Sequence, residues 1–141
     1  MIRGRYGRNL RSAVGSSAAP YGFTLSVWTS GAIISHARGI PDALHALFFM
    51  VGAVAAFALA GALAYGDLTG YTGERQPGSS LWGNFHFLSV GLSIGAAALV
   101  TGLVDSGFVW ILASFFATVC YLIGLGFEFT VSERMEKDGA E

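Results

Sequence analysis

The sequence predicts an all-α integral membrane protein, with four transmembrane helices in an up-down antiparallel bundle and both termini cytoplasmic. Three observations carry this. Apolar stretches at about 21–38, 42–65, 82–104 and 107–129 fill most of the chain, and the last three reach the ~20 residues a helix needs to cross a bilayer. Hydrophobic residues are 53% and charged residues 12% of the chain, with a mean hydropathy of +0.58. A soluble bundle of such helices would have no polar faces left to cover it. Finally, Arg3, Arg5, Arg8, Arg11, Arg75, Arg134 and Lys137 fall on one side of a four-span chain, against Arg38 alone on the other. That asymmetry puts both termini inside and opposes a dual topology.

Each element has a local reason. Residues 1–20 read as a basic cytoplasmic arm. Four arginines before an apolar run resemble a signal peptide, but no small-x-small cleavage site precedes His36-Ala37-Arg38, so an uncleaved first helix is expected. Pro20 suits the first turn of helix 1, where a missing N–H costs nothing. Gly39 can take a left-handed C-terminal conformation and Pro41 can start helix 2, so helices 1 and 2 should form a tight antiparallel hairpin. The 66–81 segment is polar, Gly-rich and irregular. Ser79 or Ser80 would cap helix 3, and Asp105 or Ser106 helix 4. Residues 130–141 form a charged cytoplasmic tail. Tyr21, Tyr65 and Trp82 suit the inner interface and Trp110 the outer one.

Composition also narrows function. Arg outnumbers Lys, and Gly and Ala are abundant, which fits a GC-rich bacterial genome and a multi-pass protein of the inner (cytoplasmic) membrane. No basic stripe points to nucleic acid. The single Cys120 rules out an intramolecular disulfide or a Cys-x-x-Cys metal knuckle. Phosphate loops, nucleophile elbows and zinc-protease motifs are missing, so no enzyme activity, catalytic residue, cofactor or metal is assigned.

Helix contact in lipid relies on small residues. Helix 2 carries Gly52, Ala56, Ala60 and Ala64. Helix 3 carries Gly91-x-x-x-Gly95, with Ser89, Ser93, Ala97 and Thr101 on a nearby stripe. Helix 4 carries Ala113, Ala117, Gly124 and Gly126. These faces serve packing within the bundle, oligomerisation, or both. Helix 1 differs in its density of hydroxyls. Thr24, Trp28, Gly31 and Ser35 recur on one face, and Thr29 lies beside them. So polar a helix should lie against protein or water, lining a cavity or an oligomer's pore, or holding its neighbours through hydroxyl-to-carbonyl bonds.

Ionisable groups gather only near the ends. His36, Asp42, His45 and Asp105 would meet at the outer end, where two imidazoles and a carboxylate suit a metal or a proton-sensitive gate, or simply interfacial polarity. Asn84, His86 and Glu128 would share the inner end as a proton relay, a gate or a packing bond. Between the ends there is no charge. A small proton-coupled exporter would need a central carboxylate in helix 1, and an arginine voltage sensor is excluded likewise. His86 lies too far in depth from His36 and His45 for a bis-histidine haem.

The expected function is a homo-oligomeric channel or small-solute or ion transport protein, with polar helix 1 lining the path. The alternative is a non-catalytic accessory or assembly subunit of a larger membrane complex. Either way the partners are the lipid bilayer and other membrane helices, not nucleic acid.

Overall fold

In a computed structural model the chain forms four helices in the order α1 (Ile2–Arg38), α2 (Ala43–Tyr65), α3 (Phe87–Leu103) and α4 (Val109–Asp138). Residues 2–65 and 87–138 are described, with side chains at 20–63, 87–131 and 134. The described structure is all-helical, and α2 and α4 each contain a stretch long and apolar enough to cross a membrane, Ala43–Leu63 and Val109–Val131. The 17 residues of α3 are apolar but shorter, about 25 Å of helix against a hydrocarbon core of about 30 Å.

The helix ends combine expected and unexpected chemistry. Gly39 takes φ +88° and donates its N–H to the Ser35 carbonyl at 2.9 Å, a left-handed stop for α1. Helix 2 does not start on Pro41. Asp42 takes the cap position, its Oδ1 accepting the His45 N–H at 2.9 Å, while its carbonyl accepts Ala46 N–H at 3.0 Å. A carboxylate that receives an orphan N–H secures the first turn better than proline's fixed φ alone. Ahead of α4, the Ser106 carbonyl accepts Val109 N–H at 3.0 Å, while the Asp105 carboxylate turns to Arg38.

Pro20 does not open α1. It sits inside a helix of 37 residues, about 55 Å long. The proline removes one helical bond, and its carbonyl accepts a hydroxyl from Thr24 at 2.9 Å. Nor does α4 stop at 129: it runs on to Asp138 through the segment read as a tail.

The expected hairpin of α1 and α2 is not a packed pair. Among the described residues α4 lies against each of the other three helices, and α1 also lies against α3, while α1 and α2 make no close backbone approach. The rings of Phe23 and Phe57 bridge them at 5.2 Å. Side-chain neighbours give the directions. Ile34 meets Val109 and Trp110 while Phe23 meets Tyr121 at 5.6 Å, so α1 and α4 are antiparallel. His45 meets Trp110 while Gly52 meets Ile111 and Ser114, so α2 and α4 run the same way.

The interior is made of small and hydroxylated residues. Ser89, Ser93, Ala97 and Thr101 form the buried face of α3, and Ser26, Ser30 and Ile34 that of α1. An apolar cluster of Ile34, Val109, Trp110 and Ala113, flanked by Phe48, Phe49, Val100 and Val104, closes one end. Trp110 is thus a core residue, 5% exposed, not an interfacial anchor. Two glycines allow near backbone-to-backbone contact: a Cβ on Gly52 would overlap the Ile111 carbonyl, and one on Gly124 would stand 2.6 Å from Ser89 Cα. Gly91 and Gly95 do the opposite. They are exposed, with open space where a Cβ would stand, so this motif faces out of the bundle.

Gly52→Ala and Gly124→Ala are therefore expected to lower unfolding stability in detergent by about 1–3 kcal/mol each, the cost of overpacking a fitted contact. Gly91→Ala and Gly95→Ala, measured in the same unfolding titration, should show no such loss.

Candidate functional site

Among the described residues the contacts of charged side chains fall into three places: the two ends of α3 and the N-terminus of α2. At the start of α3, Glu128 reaches across from α4. Its Oε1 accepts the N–H groups of Leu88 at 2.9 Å and Ser89 at 3.1 Å, and its Oε2 accepts the Ser89 hydroxyl at 3.1 Å. The first N–H groups of a helix have no partner within it, so a carboxylate from another helix serves as their cap. The close contact at Gly124, one turn earlier in α4, brings Glu128 within reach. At the other end of α3, Arg38 of α1 donates from Nη2 to the Thr101 carbonyl at 2.9 Å, to the Val104 carbonyl and to Asp105 Oδ1 at 2.9 Å. A cation thus closes the last turn, where carbonyls are unpaired and the helix dipole is negative.

At the N-terminus of α2, Asp42 Oδ1 also contacts His45 Nδ1 at 2.7 Å. The His45 ring lies 5.7 Å from Trp110 and 6.4 Å from Phe48, whose ring stacks on Phe108. Hydrogen bonding from the His45 backbone, and then from its ring, holds the Asp42 carboxyl below its ordinary value of 3.8 despite a smaller opposing desolvation.

The outer cluster expected from sequence is therefore not one site. Asp42 joins His45 and Asp105 joins Arg38, while His36 faces a groove beside α3 with Thr29 and Thr101. The physical reason is that α1 packs on α3 and α4, which turns His36 away from α2. No group of three metal-binding side chains occurs among the described residues. Of the inner cluster, Glu128 is in contact with α3, and Asn84 and His86 lie outside the described residues.

Helix 1 presents its polar residues in two directions. Thr24 and Trp28 are exposed, Trp28 at 76%, and Thr29, Gly31 and Ser35 are half-buried. The fully buried hydroxyls of α1, Ser26 and Ser30, lie on the face that sequence reasoning did not choose. Ser26 donates to the Gly22 carbonyl at 2.9 Å, and Ser114 likewise bonds to Ile111 at 3.0 Å. Among the described residues Ser30 Oγ and Ser93 Oγ are buried without a partner. Sequence reading also missed the roles of Arg38 and Ser89. The available signal was Arg38 itself, the lone cation on its side of the chain.

Compared with known protein families, curated proteins and solved structures, the chain matches none.

Two outcomes follow from the caps. Glu128→Ala should cost about 0.5–2 kcal/mol of stability and speed amide exchange at Leu88 and Ser89, whereas Glu128→Gln should keep part of the protection. The Asp42 cap carries a defined pH sign. Because its folded pKa is lowered, its stabilisation is full above the ordinary carboxylate value and is lost as pH falls through the lowered one. The protection factor at His45, taken against the intrinsic exchange rate at each pH, should fall on that acidification, and Asp42→Ala should remove that fall.

Proposed function

We propose that this chain is a four-span protein of a bacterial inner membrane, with both termini cytoplasmic. It works as a homo-oligomeric channel or small-solute or ion transport protein. The observation that carries the membrane reading is an inverted surface. Leu63, Phe87, Trp28 and Leu103 are each more than 70% exposed, while Ser30 and Ser89 are fully buried. Water would penalise such an exterior, and lipid favours it. The short α3 fits the same solvent, because its end groups are bonded to Glu128 and Arg38 and need no water.

Close helix contacts support a path between subunits rather than through one. The helices touch at Gly52 and Gly124, and among the described residues the bundle centre is uncharged. The outward polar residues of α1, Thr24 and Trp28 with Thr29 and Ser35 beside them, are the groups an oligomer would turn toward a shared axis. The exposed Gly91 and Gly95 of α3 offer a close-approach face for a neighbouring helix. That same face favours the second reading, an accessory subunit that docks a different membrane protein.

Mass measurement of the purified protein in nanodiscs separates the two. A single symmetric oligomer is expected. In proteoliposomes, replacing Thr24, Thr29 and Ser35 with leucine should reduce flux by about tenfold or more. A monomer that co-purifies with other chains would favour the subunit, and undiminished flux in the leucine variants would remove α1 from the path.

A further inference from the structure

A groove of about 490 Å³ runs along the outside of the bundle between α1 and α3. Ala32, Ile33 and Ala37 line it from α1, and Ala98 and Gly102 from α3. Thr29 lies toward one end, and His36 and Thr101 toward the other. We propose that this groove binds a glycerophospholipid, with its phosphodiester on Arg38 and His36 and one acyl chain along Ala32, Ile33, Ala98 and Gly102. The proposal rests on the bundle being embedded in a bilayer, and it is independent of whether the protein transports anything.

The groove is amphiphilic in the sense a phospholipid requires. Its volume lies within the ~300–1,000 Å³ of ordinary ligand pockets. Its walls are mostly alanine, isoleucine and glycine, and Gly102 has open space where a Cβ would stand. Its polar chemistry is concentrated at the Arg38 end. There His36 is exposed and Arg38 lies next to Ala37, with its side chain 26% exposed. Among the described residues only Nη2 of Arg38 finds acceptors, all from Thr101, Val104 and Asp105. The guanidinium is therefore oriented in advance, and its Nε and Nη1 donors remain open to another acceptor. Fixed, planar donors of this kind match phosphate oxygens.

Charge favours a lipid over a second copy of the chain. A copy related by a twofold axis along the membrane normal would bring its own Arg38–Asp105 pair to the same depth and no free anion for the open Nε and Nη1 donors, whereas a phosphodiester supplies one.

The test is to extract the full-length chain from membranes in mild detergent and measure retained phospholipid by native mass spectrometry and phosphate analysis. Wild type should carry bound phospholipid. The double variant Ala98→Leu with Gly102→Leu fills the groove and should lower retention by about tenfold or more at unchanged helicity. His36→Ala leaves the groove open and should also lower retention. If the double variant fails to fold, this exposed position decides the question alone. Wild type carrying no more phospholipid than the variants overturns the proposal. So does unchanged lipid with an altered oligomeric state, which makes the groove a contact between copies. A chain that does not partition into membranes fails the membrane reading as well, whereas a membrane-bound chain without lipid fails this site alone.

Discussion

Helix α3 is held at both ends by charged side chains that belong to other helices. Glu128 from α4 receives its first N–H groups, and Arg38 from α1 donates to its last carbonyls. The signs match the helix dipole, anion at the positive end and cation at the negative end. The same two bonds set how far α3 can slide. A shift of one residue along the axis, about 1.5 Å, would strain both. The register that seats Ser89 over Gly124, and so the close approach of α3 to α4, depends on them.

This arrangement explains how a thin interior can be specific. On the proposed membrane reading, burying apolar area between helices contributes little, so fit and hydrogen bonding decide the structure. The buried hydroxyls answer that need in two ways. Ser26, Thr101 and Ser114 return their protons to their own helix backbones, which lets them pack like small apolar residues. Ser89 instead spends its hydroxyl on Glu128 and joins two helices. The bulky side chains, with Tyr121 as an exception, are largely left to the exterior or to one closing cluster.

Much of the secondary structure was legible in the sequence, and much of the packing was not. Gly39 announced the end of α1 because its left-handed conformation has a strong residue preference. Four helices were visible as apolar runs. Pro20 misled because a proline inside a helix costs about 3 kcal/mol but does not forbid the helix from continuing. The Gly91 and Gly95 motif misled for a deeper reason. When the exterior is as apolar as the interior, hydropathy no longer distinguishes inward from outward, and two small-residue stripes on one helix look alike. In α3 the hydroxyl-bearing stripe won the interior, where Ser89 finds a hydrogen-bond acceptor in Glu128 of α4. The separation of His36 from His45 was invisible for a related reason: a four-residue connection fixes chain reversal but not which neighbours the helices choose.

The central position of α4 bears on the order in which the protein is made. Among the described residues it is the one helix whose backbone packs closely on all the others, and it leaves the ribosome after them. Helices α1 and α2 have no close packing to share while they wait. Glu128, the cap of α3, is likewise made some forty residues after the N–H groups it serves. Until then the serines of α1 and α3 have no α4 to cover them. On the proposed membrane reading the chain would assemble late, and its earlier helices would need temporary company, from the insertion machinery or from one another, to keep those hydroxyls out of bare hydrocarbon.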